Sequence, residues 1–232
     1  MLIEQYVTQT EKGFSFSRQQ SSDFAKKVAT DFNPIHDVDA KRFCVPGDLL
    51  FSYLLTKFGL AKQMTCNFSG MVAADILLCT KEAENVLTVV DQQDKAFLSI
   101  NREGAIFDDL TIIEPLIQDY VRFSGQNFPY ILQPLMQQHQ VMINPARPLV
   151  IYESMSLQFN QFPDQRIELK LLNSSLTVEG KRGNVLLEFS LSCAGEIIGT
   201  GEKRMILSNL VPYNDEQMQK MVSDYNNRKQ AA

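Results

Sequence analysis

The sequence lacks the features that identify several common classes of protein. Its 232 residues include four cysteines, which lie in different segments without a CxxC motif or a Cys/His spacing. This distribution disfavours a zinc site and a disulfide framework, so we expect reduced core thiols and no metal. No segment approaches the ~18 apolar residues of a membrane-spanning helix. The first residues contain no basic stretch followed by an apolar run, and the expected compartment is the cytoplasm.

An excess of positive charge is also absent. The formal net charge is −5 and the isoelectric point is near 5.1. Proteins that bind nucleic acid usually carry a basic stripe that neutralises phosphates, so the charge argues against this class. Basic residues do occur in pairs, and we interpret the pairs as solvated faces. They are Lys26-Lys27, Lys41-Arg42, Lys181-Arg182 and Lys203-Arg204.

The first half of the chain has the pattern of a buried helix followed by antiparallel strands. Residues 49–60 are apolar nearly all round and begin directly after Pro46-Gly47-Asp48. Upstream, Ser21-Ser22-Asp23 is expected to cap a short helix whose Phe24 and Val28 share one face. Apolar runs separated by polar turns predict strands. These runs cover residues 76–78, 86–90 and 97–100, with earlier candidates at 6–7 and 14–16.

The second half repeats this order, which indicates an internal duplication. Met64 and Phe68 parallel Met155 and Phe159, at the same spacing and at the same point of each half. The join at 108–111 lacks the composition of a flexible linker, so we expect the halves to dock rigidly. The second helical stretch covers 112–139, and its strands are predicted near 149–159, 167–172, 175–178, 185–192 and 197–207. The expected units are an N-terminal module (1–109), a C-terminal module (110–213) and a helical tail (214–232) that packs on the protein.

The segment Asp31-Phe32-Asn33-Pro34-Ile35-His36 carries a candidate catalytic pair. Asn-Pro biases the chain away from helix and makes a rigid turn where the first helix should end, which holds Asp31 and His36 side by side. Addition of water across a conjugated double bond needs a group that takes a proton from water and a neighbour that delivers one to the α-carbon. An Asp–His pair supplies both. Alternatively, Asp31 caps a turn and His36 is a core histidine.

The stretch from Ala29 to His36 resembles the signature of the MaoC-like, or hydratase-2, branch of the hotdog superfamily. The signature has a small residue, Asp, Asn, Pro, an aliphatic residue and His. The resemblance implies an α+β fold of two fused hotdog modules, a double hotdog, in which a curved antiparallel sheet wraps a buried helix in each module. It also implies that Asp31 and His36 bind and activate water, while Asn33 supports the turn. The implied activity is (R)-specific hydration of a 2-enoyl thioester without a cofactor.

The start of the buried helix continues the resemblance in part. Relatives commonly open this helix with His-Gly and place a small polar residue one turn later, and Gly47 and Ser52 match this pattern. A backbone N–H at a helix N-terminus stabilises a developing oxyanion, and Gly47 is the candidate donor. Pro46 replaces the His, and the Asp48 carboxylate would oppose the charge on the oxyanion. Alternatively, Gly47 only marks a helix end and Ser52 only packs. The expected catalytic residues are Asp31, His36, Asn33, Gly47 and Ser52, and the expected substrate contacts are Lys41, Arg42, Phe32 and Tyr53.

Residues 123–131 look like a decayed copy of the motif. Gln126 stands where the Asp would be, and Ile131 stands where the His would be. Glutamine is not a base near neutral pH and isoleucine transfers no proton, so we expect at most one active site per chain. The second module then serves as scaffold and as a wall of the acyl tunnel. The other histidine, His139, lies in a Gln-rich stretch and is expected at the surface.

The expected partner is an acyl-CoA or acyl carrier protein substrate. CoA is favoured, because a net-negative enzyme needs a local basic patch to bind an acidic carrier protein. Two other functions remain open. The changes at Pro46 and Asp48 favour a catalytically silent acyl-thioester binding module, and a thioesterase would use Asp31 to direct water at the carbonyl. The chain is expected to be a monomeric double hotdog or a homodimer.

Overall fold

The computed structural model describes residues 3–231 and contains one large antiparallel sheet with helices packed against it. The helices are α1 (Arg18–Asp23), α2 (Gly47–Phe58), α3 (Leu110–Gly125), α4 (Asn127–Tyr130), α5 (Leu132–Gln138) and α6 (Asp215–Gln230). Strands β1 to β6 are Thr8–Thr10, Gly13–Ser15, Leu60–Phe68, Leu78–Ala83, Val86–Asp91 and Ala96–Phe107. Strands β7 to β12 are Val141–Met142, Val150–Phe159, Ile167–Glu179, Arg182–Cys193, Glu196–Ser208 and Val211–Pro212. Three short helical turns, Glu4–Tyr6, Phe24–Val28 and Pro34–His36, lie between them.

The ten-stranded sheet has the order β1-β2-β4-β5-β6-β3-β8-β11-β10-β9. In each half, the strand that follows the long helix lies at the centre, and the next three strands follow outward in reverse order. The two central strands, β3 and β8, pair with Met64 opposite Leu157 and Cys66 opposite Met155. Met64 and Met155 therefore occupy equivalent places on either side of the Thr65–Ser156 pair. This arrangement supports the predicted duplication, and the module boundaries themselves stay a prediction.

The core forms around α2 because this helix is apolar on nearly every side. Seven consecutive residues, 49–55, are buried. The helix ends at Gly59, whose φ of 77° is a conformation that favours glycine. The main hydrophobic cluster joins α2 and α3 to the sheet. A second cluster lies under α5 and α6 and includes Met218, with Met221 and Val222 packed against it. Tyr225 of α6 is also buried. The tail helix thus packs on the protein as expected.

Several local predictions need correction. The first helix begins after Ser17, not at Ser21, because Ser17 and Gln20 form a capping box and Ser21 is buried inside the helix. The two strands predicted at 167–172 and 175–178 are one strand, β9. Its register shifts opposite Glu188 and Phe189, which leaves Leu172 as the extra residue of a bulge. The polar residues between the two predicted strands therefore mark a bulge within β9 and not a turn.

The broad part of the predicted fold class is confirmed, since the chain combines helices with a large antiparallel sheet. Its assignment as a double hotdog stays a prediction. Residues 1, 2 and 232 of the predicted units lie outside the described residues. From residue 3 to residue 231, no helix has the length and apolar character needed to cross a membrane. The cysteines are free thiols, and no cluster of metal-binding side chains occurs in the described chain.

Candidate active site

The motif segment is a sharp turn at the end of the first helical stretch. Thr30 has a φ of 53°, a left-handed conformation that a β-branched residue rarely adopts. The N–H of the next residue, Asp31, donates to the carbonyl oxygen of Ala25 at 2.8 Å. This hydrogen bond satisfies a carbonyl group at the end of the helical stretch. Asn33 N–H donates to Asp31 Oδ1 at 2.9 Å, and Ile35 N–H donates to Asn33 Oδ1 at 3.2 Å. The side chains of Asp31 and Asn33 thus accept hydrogen bonds from the backbone of the turn.

Asp31 and His36 face each other across this turn. The distance from His36 Nε2 to Asp31 Oδ2 is 3.6 Å, which is longer than a direct hydrogen bond. His36 Nδ1 lies 2.7 Å from the carbonyl oxygen of Cys44. A carbonyl oxygen only accepts, so Nδ1 carries a proton, and Nε2 is the ring nitrogen that faces Asp31. The pair therefore places a ring nitrogen and a carboxylate oxygen next to each other at the motif turn.

Burial controls the charge of Asp31. Desolvation raises the pKa of its carboxyl, and the negative charge of Asp48 raises it further. His36, the Asn33 N–H and the ammonium of Lys203 act in the opposite direction and lower this pKa. The raised pKa brings the carboxyl closer to the range in which general bases work best.

A cavity of about 600 Å³ opens beside the pair. Its volume falls in the range of small-molecule binding sites, roughly 300–1,000 Å³. Asp31, Phe32 and His36 lie at its wall, together with residues from the second half of the chain and from α6. The apolar part of the wall includes Leu132, Ile143, Val150, Met205 and Met221.

The first residues of α2 also line this cavity. Pro46 is the N-cap of the helix and Gly47 is its first residue, so the N–H of Gly47 has no acceptor within the helix. A Cβ at Gly47 would lie 2.9 Å from the Phe68 ring and 3.2 Å from the Tyr152 ring. These rings stack on each other with centroids 4.3 Å apart. Glycine therefore allows two aromatic side chains to lie directly against the helix start.

A buried polar chain lies beside Gly47, and the sequence interpretation missed it. Lys203 Nζ donates to Ser124 Oγ, and Ser124 Oγ donates to Asp48 Oδ2; both contacts are short. The ammonium also lies 4.2 Å from the centroid of the Tyr152 ring. The interpretation of Lys203 as a solvated residue is wrong, because only 3% of it is exposed. The alternation of side chains along β11 could have indicated this burial. Lys203 lies on the same face of the strand as the buried residues Gly201 and Met205.

Four of the predicted site residues lie away from the cavity. Lys41 and Arg42 are exposed on the loop before α2, and neither belongs to the cavity wall in the described chain. Tyr53 points into the core, where its ring lies 4.4 Å from that of Phe14. Ser52 is fully buried and its hydroxyl donates to the Asp48 carbonyl oxygen at 2.6 Å. The structure thus brings together Asp31, Phe32, Asn33, His36 and Gly47, and it gives Ser52 and Tyr53 packing positions.

The decayed copy of the motif packs directly on the intact one. Gln126 Nε2 lies 3.4 Å from Thr30 Oγ1, and a Cβ at Gly125 would lie only 2.1 Å from the carbonyl oxygen of Ala29. The hydroxyl of Tyr225, on α6, lies 3.2 Å from the Thr30 carbonyl oxygen and 3.1 Å from that of Gly125. The second half and the tail therefore hold the backbone that presents Asp31. Ile131 is partly buried, and His139 is exposed, which is the surface position expected for it.

Comparisons with known proteins add a family and several distant structural likenesses. A family profile described as "Protein of unknown function (DUF3581)" matches residues 1–216. No curated protein is similar enough to count as a match. A tesB protein of Mycobacterium avium subs paratuberculosis is 10% identical with a TM-score of 0.44, over 88% of this chain and 96% of that one. The acyl-CoA thioesterase II TesB2 of Mycobacterium marinum is 11% identical with a TM-score of 0.44, over 92% and 100%. A MaoC-like dehydratase is 8% identical with a TM-score of 0.45, over 88% and 98%.

Proposed function

This chain belongs to the DUF3581 family, and we propose that it adds water reversibly to a 2-enoyl thioester to give an (R)-3-hydroxyacyl thioester. The observation that carries the proposal is the pairing of Asp31 with His36. His36 Nε2 and Asp31 Oδ2 face each other 3.6 Å apart at the wall of a cavity of about 600 Å³. The anchor of His36 Nδ1 on the Cys44 carbonyl oxygen fixes which ring nitrogen faces Asp31. No metal or organic cofactor enters this proposal.

The geometry supports a simple mechanism for the water. A water molecule between Asp31 Oδ2 and His36 Nε2 donates one hydrogen to each, which leaves its lone pairs directed toward the cavity. Its oxygen bonds to C3 of the substrate as one of its protons passes to the pair. The pair supplies one proton to C2, so its protonation is restored at the end of the reaction. In the reverse direction the same groups remove the proton from C2 and release water.

The start of α2 is the proposed site for the thioester carbonyl. Negative charge develops on the carbonyl oxygen as C3 is attacked, and the free N–H of Gly47 at the positive end of the helix stabilises it. The apolar wall from the second half takes the acyl chain. In this proposal the chain is a double hotdog with modules at 1–109 and 110–213 and a tail at 214–232.

The carrier is proposed to be CoA, with Lys41 and Arg42 in contact with it outside the cavity. Both side chains are exposed on the loop that leads from His36 to α2. The other basic residues near the motif are engaged, since Lys26 pairs with Asp37 at 2.9 Å and Lys27 with Asp23 at 3.1 Å. Replacing Lys41 and Arg42 together with Glu should therefore raise KM for the acyl-CoA and leave kcat unchanged. A change confined to kcat would contradict this assignment.

The decisive test is incubation of the purified protein with crotonyl-CoA and longer 2-enoyl-CoAs, with conjugated absorbance and free thiol followed together. Hydration removes the absorbance and releases no thiol. Asp31→Asn and His36→Ala should each lower turnover by roughly 10²–10⁴-fold, the usual contribution of general acid–base catalysis. His139→Ala is the matched control, because His139 is the other histidine of the chain and is exposed. Turnover that is unchanged in both site variants would sink the assignment.

Hydrolysis of the thioester is a second candidate, which the position of Asp48 favours. This residue places a further carboxylate at the cavity wall, directly after the proposed carbonyl site at Gly47. In hydrolysis, a carboxylate directs water at the carbonyl carbon, and the thiol leaves. Release of free thiol without prior loss of conjugated absorbance would select this reaction. An acyl-thioester binding module would show neither change, and the acyl-CoA would still raise the melting temperature.

A further inference from the structure

We infer that Lys203 is a positioning residue that, through Ser124, neutralises Asp48 and thereby offsets the effect of the Asp48 carboxylate on Asp31. The inference rests on the proposed function for its effect on turnover. Its effect on the ionisation of Asp31 is measurable without any substrate. The three linked residues come from three elements, β11, α3 and α2. All three line the same cavity as the Asp31–His36 pair.

The contacts form a continuous chain of hydrogen bonds. The Lys203 ammonium donates to Ser124 Oγ, which in turn donates to Asp48 Oδ2. Lys203 and Ser124 are 3% and 6% exposed, so water does not screen the interaction. The second carboxylate oxygen, Asp48 Oδ1, is buried and has no hydrogen-bond partner in the described chain. Among the described residues, the negative charge of Asp48 is therefore compensated through its hydrogen bond to Ser124 and, beyond that, the Lys203 ammonium.

The negative charge of Asp48 explains why its hydrogen bonds through Ser124 to Lys203 are needed. A buried charge without a partner is strongly unfavourable, and removing one partner leaves the other uncompensated. Asp48 follows Gly47, whose N–H is the proposed donor to the developing oxyanion. An uncompensated carboxylate there would oppose that negative charge and would repel the carboxylate of Asp31. The ammonium of Lys203 offsets both effects.

The electrostatics of the site agree with this arrangement. Asp48 raises the pKa of Asp31 and Lys203 lowers it, in addition to the larger effect of burial. Desolvation lowers the pKa of Lys203, while Asp48 and Asp31 act to raise it. The remaining titratable or charged groups at the cavity wall are His36, Cys44, Tyr152, Asp224, Tyr225 and Arg228. Arg228 is paired with Asp37, and the Tyr152 hydroxyl is hydrogen-bonded to that of Tyr120.

The test compares three variants in which the buried charges are removed singly and together. Lys203→Met removes the positive charge, so the acid limb of kcat/KM against pH should move to higher pH. Asp48→Asn removes the negative charge and should move the limb to lower pH. The double variant removes both charges and should return the limb close to its original position. Arg204→Met is the matched control, because Arg204 is the next residue of the same strand and is exposed.

A second readout separates this inference from the proposed function. The side-chain carboxyl of Asp31, identified by its loss in Asp31→Asn, is titrated by ¹³C NMR in each folded variant. Opposite shifts in the two single variants, and recovery in the double variant, support the inference even if no enoyl thioester is hydrated. If Lys203→Met does not fold, a downward shift in Asp48→Asn and a folded double variant support it. An Asp31 titration that is unchanged in Asp48→Asn, or that moves in the same direction in both single variants, overturns it.

Discussion

Gly125 offers the sharpest test of how the second half of the chain holds the motif turn. It is the last residue of α3, and α3 contacts the backbone of the motif at this point. A Cβ at this position would lie 2.1 Å from the carbonyl oxygen of Ala29, 2.9 Å from its carbon and 3.1 Å from the nitrogen of Asp31. Every one of these atoms is backbone, so no side chain can rotate away. Gly125→Ala must therefore displace α3 or the motif segment.

Two opposing effects determine how much Gly125→Ala changes the free energy of unfolding. Alanine is favoured over glycine inside a helix by up to about 1 kcal/mol. Overpacking of a tight site costs typically about 1–3 kcal/mol, and a contact of 2.1 Å with backbone belongs at the upper end. The expected net loss is about 2 kcal/mol, which lowers the melting temperature by about 4–8 °C for a chain of this size. Because the displaced backbone carries Asp31, turnover should fall as well.

The assay is urea unfolding followed by circular dichroism, with a thermal melt of the same samples. Arg122→Ala is the control, since Arg122 is exposed in the last turn of the same helix. It should change stability by no more than about 0.5 kcal/mol. A Gly125→Ala variant as stable as the original protein, or more stable, would show that helix propensity outweighs the contact and would refute the reasoning.

Two further predictions concern Asp31 and Tyr225. Burial raises the pKa of Asp31 above its ordinary value of 3.8, so the folded state binds the proton more tightly than the unfolded state. The stability contributed by this proton is complete below 3.8 and is lost as the pH rises through the raised pKa. Asp31→Asn should thus raise the melting temperature at neutral pH and flatten this part of the pH dependence; a lower melting temperature at neutral pH would contradict the pKa direction. Tyr225→Phe removes the hydroxyl near Thr30 and Gly125 and should cost about 1 kcal/mol in urea unfolding, whereas Tyr130→Phe, at an exposed position, should cost less.

The features that could be read from the sequence are local ones. The buried helix α2 was predictable because residues 49–55 are buried on all sides and the sequence there is apolar on all sides. The Asp31–His36 pair was predictable because Asn33 and Pro34 make a turn within a few residues. The start of α1 was misplaced because Ser17 and Ser21 are both good caps. Only Ser17 has Gln20 at the position that completes a capping box.

The buried polar chain was beyond the reach of local patterns. Ser124 lies 76 residues from Asp48 and 79 residues from Lys203, so their meeting depends on how α2, α3 and β11 pack. The alternation in β11 places Lys203 on the inner face, but it does not predict a hydrogen-bond acceptor for its ammonium there. The contact between Gly125 and Ala29 likewise cannot be predicted from the sequence, because it depends on how the two halves of the chain pack together.

The sequence by itself determined the motif turn, because bond geometry around Asn33-Pro34 acts over a few residues and brings Asp31 to His36. Tertiary structure alone decided the environment of that turn. Desolvation and the charges of Asp48 and Lys203 act through space, and they depend on which strands and helices lie against the cavity. The sequence therefore names the groups that carry the proposed chemistry, and the packing of the two halves sets the charge with which they work.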